Sequence, residues 1–150
     1  MSQSPVPASV RAYSHARSVS KIQAVGVVIL ARNQPQAIAR CIAGVFAANS
    51  HAGWRNSLWI VVVADSCTDD TAKAARNTLG AFGQVLEIGA HSRQAAYQLG
   101  AAIAMEHFRA VPRHALLLTS TDAAAELPRD WIEALLQCSK SPMGLSSIES

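Results

Sequence analysis

At 150 residues, half of them hydrophobic and 15% charged, the chain is sized for one domain with its own core and is too apolar for a disordered polyelectrolyte. Its net charge of +3 resides in Arg11, Arg17 and Lys21; the rest carries 10 basic and 10 acidic residues, so nothing supports the basic face expected of a nucleic-acid binder. Cys41, Cys67 and Cys138 are too scattered for a zinc cluster or disulfide framework, and no apolar run reaches the roughly 18–20 residues of a membrane span.

Residues 1–21, rich in Ser, Pro and Ala, read as a flexible tail. Arginine and serine without acids also resemble an organelle transit peptide, but an amphipathic face is missing and no cleavable secretory signal is evident. A reducing, cytoplasmic location is therefore expected. The continuous apolar run from Ala24 to Leu30 predicts a strand buried on both faces. Polar Arg32-Asn33-Gln34 ends it, and Pro35 suits the first turn of a helix. Ile38, Cys41, Ile42, Val45 and Phe46 then recur at helical spacing on one face.

After a loop from Asn49 to Ser57 containing Gly53, residues Leu58 to Ala64 form a second apolar strand. Thr68 is placed to cap a helix whose first turn holds Asp69 and Asp70, and Gly80 to close it. Gln84 to Ile88 reads as a short third strand. Ser92 can cap the next helix, which carries Ala95, Ala96, Leu99, Ala102 and Ile103 as its inward stripe and runs to about Phe108. Ala115 to Thr119 is the fourth strand, and Pro128 starts a last helix with Trp131, Ile132, Leu135 and Leu136 facing inward. The Ser-rich stretch 139–150 reads as a second flexible tail. The alternation predicts an α/β, Rossmann-like domain over residues 22–138. Its mainly parallel sheet of about four strands is covered by helices on both faces, with right-handed crossovers.

Ligands of such sheets sit outside the carboxyl ends of the strands. Four polar junctions lie there: Ala31 to Gln34, Asp65 to Thr71, His91 to Arg93, and Thr121-Asp122. A carboxylate at a strand end, as Asp65 is, suits a hydrogen bond to a sugar hydroxyl or a base edge; Thr68 and Asp69 equally suit a turn and a helix cap. No G-x-G-x-x-G follows a strand, and neither a P-loop nor a G-x-S-x-G elbow occurs. The five histidines are scattered, His91 alone falling at a strand's carboxyl end.

The string Val62-Val63-Ala64-Asp65-Ser66-Cys67-Thr68-Asp69-Asp70-Thr71 resembles the V-V-D-D-G-S-T-D-G-T signature of family 2 glycosyltransferases, which have the GT-A fold. Three further segments agree in order and spacing. Val28 to Gln34 resembles the family's opening V-V-I-P-A-R-N-E. Arg93, Ala95-Ala96 and Gly100 resemble its R-x-x-A-x-x-x-G helix. Thr121 to Trp131 resembles T-D-A-D-T-x-x-P-x-D-W. The resemblance covers about residues 22 to 137, the nucleotide-sugar-binding half of such an enzyme. It implies that Leu30, Ala31, Asn33 and Gln34 line the base and ribose, that Asp65 holds the base, and that Arg93 approaches the base or diphosphate. Asp122 would be the first carboxylate of a D-x-D element that contacts the ribose and helps hold a divalent Mg or Mn ion.

The sequence departs from that pattern at three places: Ala64 replaces the first Asp of D-D, Gln34 replaces the Glu, and Ala124 replaces the second D-x-D carboxylate. One carboxylate supplies half the charge and fixes a metal poorly. Glu126 could substitute, although a charge near the last helix's N-terminus is its ordinary role. No residue stands out as the general base of an inverting transfer. The expectation is a glycosyltransferase-like protein binding a UDP- or GDP-sugar donor for transfer to an unknown acceptor. The alternatives are a truncated or degenerate non-catalytic binding module, and a half-enzyme whose acceptor site comes from a partner chain or a homo-oligomer.

Overall fold

The most apolar stretch of the chain becomes the strand through which the whole sheet is organised. In the computed structural model, which describes residues 22–53, 57–89 and 92–138, strand β1 (Ala24–Ala31) is buried along almost its entire length. It pairs in parallel with β2 (Ser57–Asp65) on one side and with β4 (Leu116–Asp122) on the other. Strand β3 (Gly83–Ile88) pairs in parallel with β2, giving the order β3-β2-β1-β4. The protein is thus α/β with an all-parallel, four-stranded, Rossmann-like sheet. The expected tails over 1–21 and 139–150, and His91, lie outside the described residues.

A strand enclosed on both faces has no polar side to present, so side chains of β1 separate by alternation alone. Val25, Val27 and Ile29 join the larger core, beneath α1 (Pro35–His51), α2 (Thr71–Leu79) and α4 (Trp131–Cys138), which supply Ile38, Ile42, Leu79 and Ile132. Val28 points to the opposite face with Val61 and Val63, against α3 (Arg93–His107). Among the described residues, helices therefore cover both faces, three on one and one on the other. Among the described residues, no helix is long and apolar enough to cross a membrane.

Several local expectations need correction. The helix after β2 begins at Thr71, not behind a Thr68 cap, and has no acidic residue in its first turn. Asp69 lies before the helix and accepts from the Thr71 backbone N–H at 3.0 Å and from its hydroxyl, while Thr68 is drawn sideways toward the neighbouring loop. Strand β4 continues through Thr121 and Asp122, because pairing with β1 carries it past the apolar run. The last helix starts at Trp131, three residues beyond Pro128, whose carbonyl accepts from the Trp131 N–H as a preceding turn. Gly80 does close α2, at φ 55°, and the Ser92 hydroxyl does cap α3, accepting from the Ala95 N–H at 3.0 Å.

The inward stripe of α3 is rotated from the expected one. Ala96, Gly100, Ala101 and Ala104 are buried, whereas Leu99 is 45% exposed and Ala102 lies outside. The reason is close approach to the sheet. A Cβ on Gly100 would stand 2.6 Å from Val28 Cγ1 and 3.0 Å from Val63 Cγ2, so only small residues fit along that line. Overpacking at such a contact costs about 1–3 kcal/mol, while truncating an exposed side chain costs under about 1 kcal/mol. Gly100→Val is therefore expected to lower the urea midpoint clearly and Leu99→Ala to leave it almost unmoved; the opposite ranking would mean that α3 faces the sheet otherwise.

Candidate functional site

Parallel register brings the carboxyl ends of three strands side by side. Leu30 stands opposite Val63 on one side and Asp122 on the other, with Asp65 at the end of β2. The strand order reverses between β1 and β4, since β2 and β3 lie to one side and β4 to the other; that crevice is where open parallel sheets take ligands. A cleft of about 340 Å³ opens there, lined by Leu30, Ala31, Arg32, Gln34, Asp65, Arg93, Ala96, Asp122 and Ala124. The structure thus brings together six of the seven residues singled out from sequence. A larger groove of about 760 Å³ lies toward the amino end of β4, away from the carboxyl ends of the strands, and is lined mainly by apolar side chains such as Met105, Phe108 and Leu118.

The seventh residue, Asn33, does other work. Its backbone takes a left-handed conformation, φ 50°, which asparagine tolerates better than most side chains. In that posture its Oδ1 accepts from the Thr68 N–H at 2.8 Å, and its own N–H approaches Cys67 Sγ at 3.4 Å. Gln34 adds a second tie, its N–H donating to the buried Thr71 hydroxyl oxygen at 2.8 Å. Residues 32–34 and 67–71 are thereby clamped together, holding the rim of the cleft between β1 and β2. The Asn33 clamp was not anticipated, although an asparagine at a tight junction between strand and helix is the available signal.

Two arginines complete the lining. Arg32 bridges the ends of two strands, its Nε donating to the Asp65 carbonyl oxygen at 3.3 Å. Arg93, in the first turn of α3, donates from Nη1 to Asp122 Oδ1 at 2.6 Å. The hydrogen bond that Arg93 donates to Asp122, and then the Asp122 charge, raise the guanidinium above its ordinary pKa. Both side chains remain accessible, 71% for Arg93 and 46% for Asp122, so a ligand can reach either partner. Asp65 accepts from the Ser66 hydroxyl at 3.0 Å, and Ser66 itself sits at φ 56°. Ala64, standing where the resembled pattern has the first Asp of its D-D pair, is buried in the core.

The backbone oxygen of Asp122 is held from below, where Cys41 Sγ donates to it at 3.5 Å. Burial, and then the Asp122 charge, push the Cys41 thiol up from 9.0 to about 11. A divalent metal finds a poor set of donors. Asp122 offers one carboxylate already engaged by a guanidinium, Ala124 supplies no oxygen from its side chain, and Glu126 is exposed and outside the cleft lining. Among the described residues, no three His, Cys, Asp or Glu side chains converge on one point. Mg²⁺ requires near-octahedral oxygen coordination, and the guanidinium paired with the Asp122 carboxylate opposes it. The side chains present do not fit the metal expected from the resemblance.

No protein-family model matches the chain, and a search of curated proteins finds no significant match.

Two outcomes follow. Asn33→Ala loses a bond to the Thr68 backbone and strains a left-handed φ, so destabilisation of about 1–3 kcal/mol is expected in urea unfolding. Amide-shift changes should concentrate at Thr68 to Thr71; a stability loss with these amides unmoved would refute the clamp. Cys41 is neutral in the fold over a range where the unfolded thiol ionises, so its contribution is complete below pH 9 and is lost as pH rises to about 11. Stability should decline over that interval, and Cys41→Ala should make the decline shallower; parallel pH profiles would contradict the assignment.

Proposed function

We propose that the cleft at the carboxyl ends of β1, β2 and β4 binds a nucleoside-diphosphate-sugar donor, a UDP- or GDP-sugar, in the manner that the resemblance to family 2 glycosyltransferases implies. The observation that carries this reading is the convergence of Leu30, Asp65, Arg93 and Asp122, from four separate stretches of chain, on one crevice at the point where strand order reverses. The chemistry suits the parts of such a ligand. Asp65 offers acceptor oxygens for the donor edge of a base, Leu30 and Ala31 offer an apolar wall, and the two guanidinium groups offer charge to phosphates.

Donor binding without sugar transfer by this chain alone is the narrower form of the proposal. Among the described residues lining the cleft, Asp65 and Asp122 are the only side chains able to act as general base near neutral pH, and Asp122 is tied to Arg93. An acceptor site would then come from elsewhere, as the expectation of a partner chain or further copy holds.

Titration of the chain with UDP-, GDP- and ADP-sugars, followed by amide shifts and calorimetry, tests the reading. Shifts are expected at Leu30, Ala31 and Ala96. Asp65→Ala should weaken binding by about 10-fold or more, the worth of a hydrogen bond to a charged group. No shift with any of the donors at millimolar concentration would end it. A measured sugar transfer abolished by Asp65→Ala would instead raise the chain from binder to enzyme.

A further inference from the structure

Charges in the cleft occur as two arginines and two acids, Arg32, Arg93, Asp65 and Asp122. Arg93 spans from the first turn of α3 to Asp122 at the end of β4, and its Nη1–Oδ1 distance of 2.6 Å is that of a charge-assisted bond. One oxygen of the carboxylate that a divalent cation would use is therefore already engaged by a cation belonging to the protein. The two positions beyond it, Ala123 and Ala124, add no charge, and Ala124 forms part of the cleft wall. Arg32 stands on the same rim, anchored through Nε to the Asp65 carbonyl. A guanidinium matches phosphate oxygens as well as it matches a carboxylate, and Arg93 is accessible enough to exchange one for the other.

We propose that this cleft takes its diphosphate without a divalent cation: Arg93 leaves Asp122 for the phosphate oxygens, Arg32 assists, and Asp122 acts as the internal competitor that holds Arg93 when no ligand is present. The inference rests on the nucleotide reading but concerns which group neutralises the anion. It gives Asp122 a sign opposite to that of a metal ligand. Removing the charge of a metal ligand abolishes binding, whereas removing the charge of a competitor strengthens it.

The experiment titrates the full chain with inorganic pyrophosphate and with UDP, each in EDTA and in Mg²⁺. Pyrophosphate has no ribose, so contacts of Asp122 to a sugar do not confuse its reading. Binding of both is expected in EDTA, within about twofold of that in Mg²⁺ after correction for the metal–ligand complex in solution. Arg93→Gln should weaken both by about 10-fold or more, Arg93→Lys should recover part of the loss, and Asp122→Asn should tighten pyrophosphate several-fold. Both side chains are accessible and outside the core, and circular dichroism checks that each variant folds. Binding that appears only with Mg²⁺ and is lost in Asp122→Asn would overturn the proposal while leaving the nucleotide reading intact. Pyrophosphate bound through Arg93 while no nucleotide binds would keep the arginine assignment and remove the nucleotide. Failure of both ligands in both media would overturn the two together.

Discussion

Parallel pairing of β1 with both of its neighbours is the constraint from which the rest of this molecule follows. Because Leu30 is in register with Val63 and with Asp122, the chain cannot bury its central strand without also bringing three strand ends to one edge. Burial of β1 on both faces then makes slippage costly. Every one-residue shift would exchange the side chains that face α1 for those that face α3. The same hydrophobic enclosure that drives folding therefore sets the positions of the polar residues at the strand ends. Stability and site geometry are properties of one register.

The two faces of the sheet meet this constraint by different means. Beneath α1, α2 and α4, large aliphatic side chains such as Ile38, Ile42 and Ile132 interdigitate with Val25, Val27 and Ile29. Beneath α3 the helix approaches through alanines and Gly100, which rests on Val28 and Val63. That close approach bears on the cleft. Arg93 and Ala96 belong to the first turn of the same helix, so the contact at Gly100 sets how far the guanidinium reaches over the end of β1 toward Asp122.

Electrostatics at the strand ends are balanced within the protein. Arg93 answers Asp122, Asp65 draws a hydroxyl from Ser66, and the Asn33 amide ties the two neighbouring loops. Most of these bonds lie at accessible positions, where each is individually weak and each can be exchanged for a ligand's. Rigid backbone below and exchangeable side chains above is the arrangement that a binding cleft requires. It differs from the core, where polar groups are few and substitutions are felt through volume.

Periodicity and punctuation by themselves determined the alternation of elements, the burial of β1 and β2 and the capping roles of Ser92 and Gly80, because these depend on neighbours close in the chain. They also marked the strand-end junctions, since polarity stops an apolar strand locally. Gln34, Asp65, Arg93 and Asp122 were legible for that reason, Leu30 and Ala31 only through the resemblance to family 2 glycosyltransferases, and all six line one cleft. What the tertiary structure alone decided were relations between distant residues: the rotation of α3 set by Gly100 against Val28, the extension of β4 by pairing with β1, the diversion of Asn33 and Thr68 into a clamp, and the capture of Asp122 by Arg93. None of these leaves a periodic trace. Each is a distance between groups that no stretch of sequence contains together, and only the packing of helices on the sheet brings them within reach.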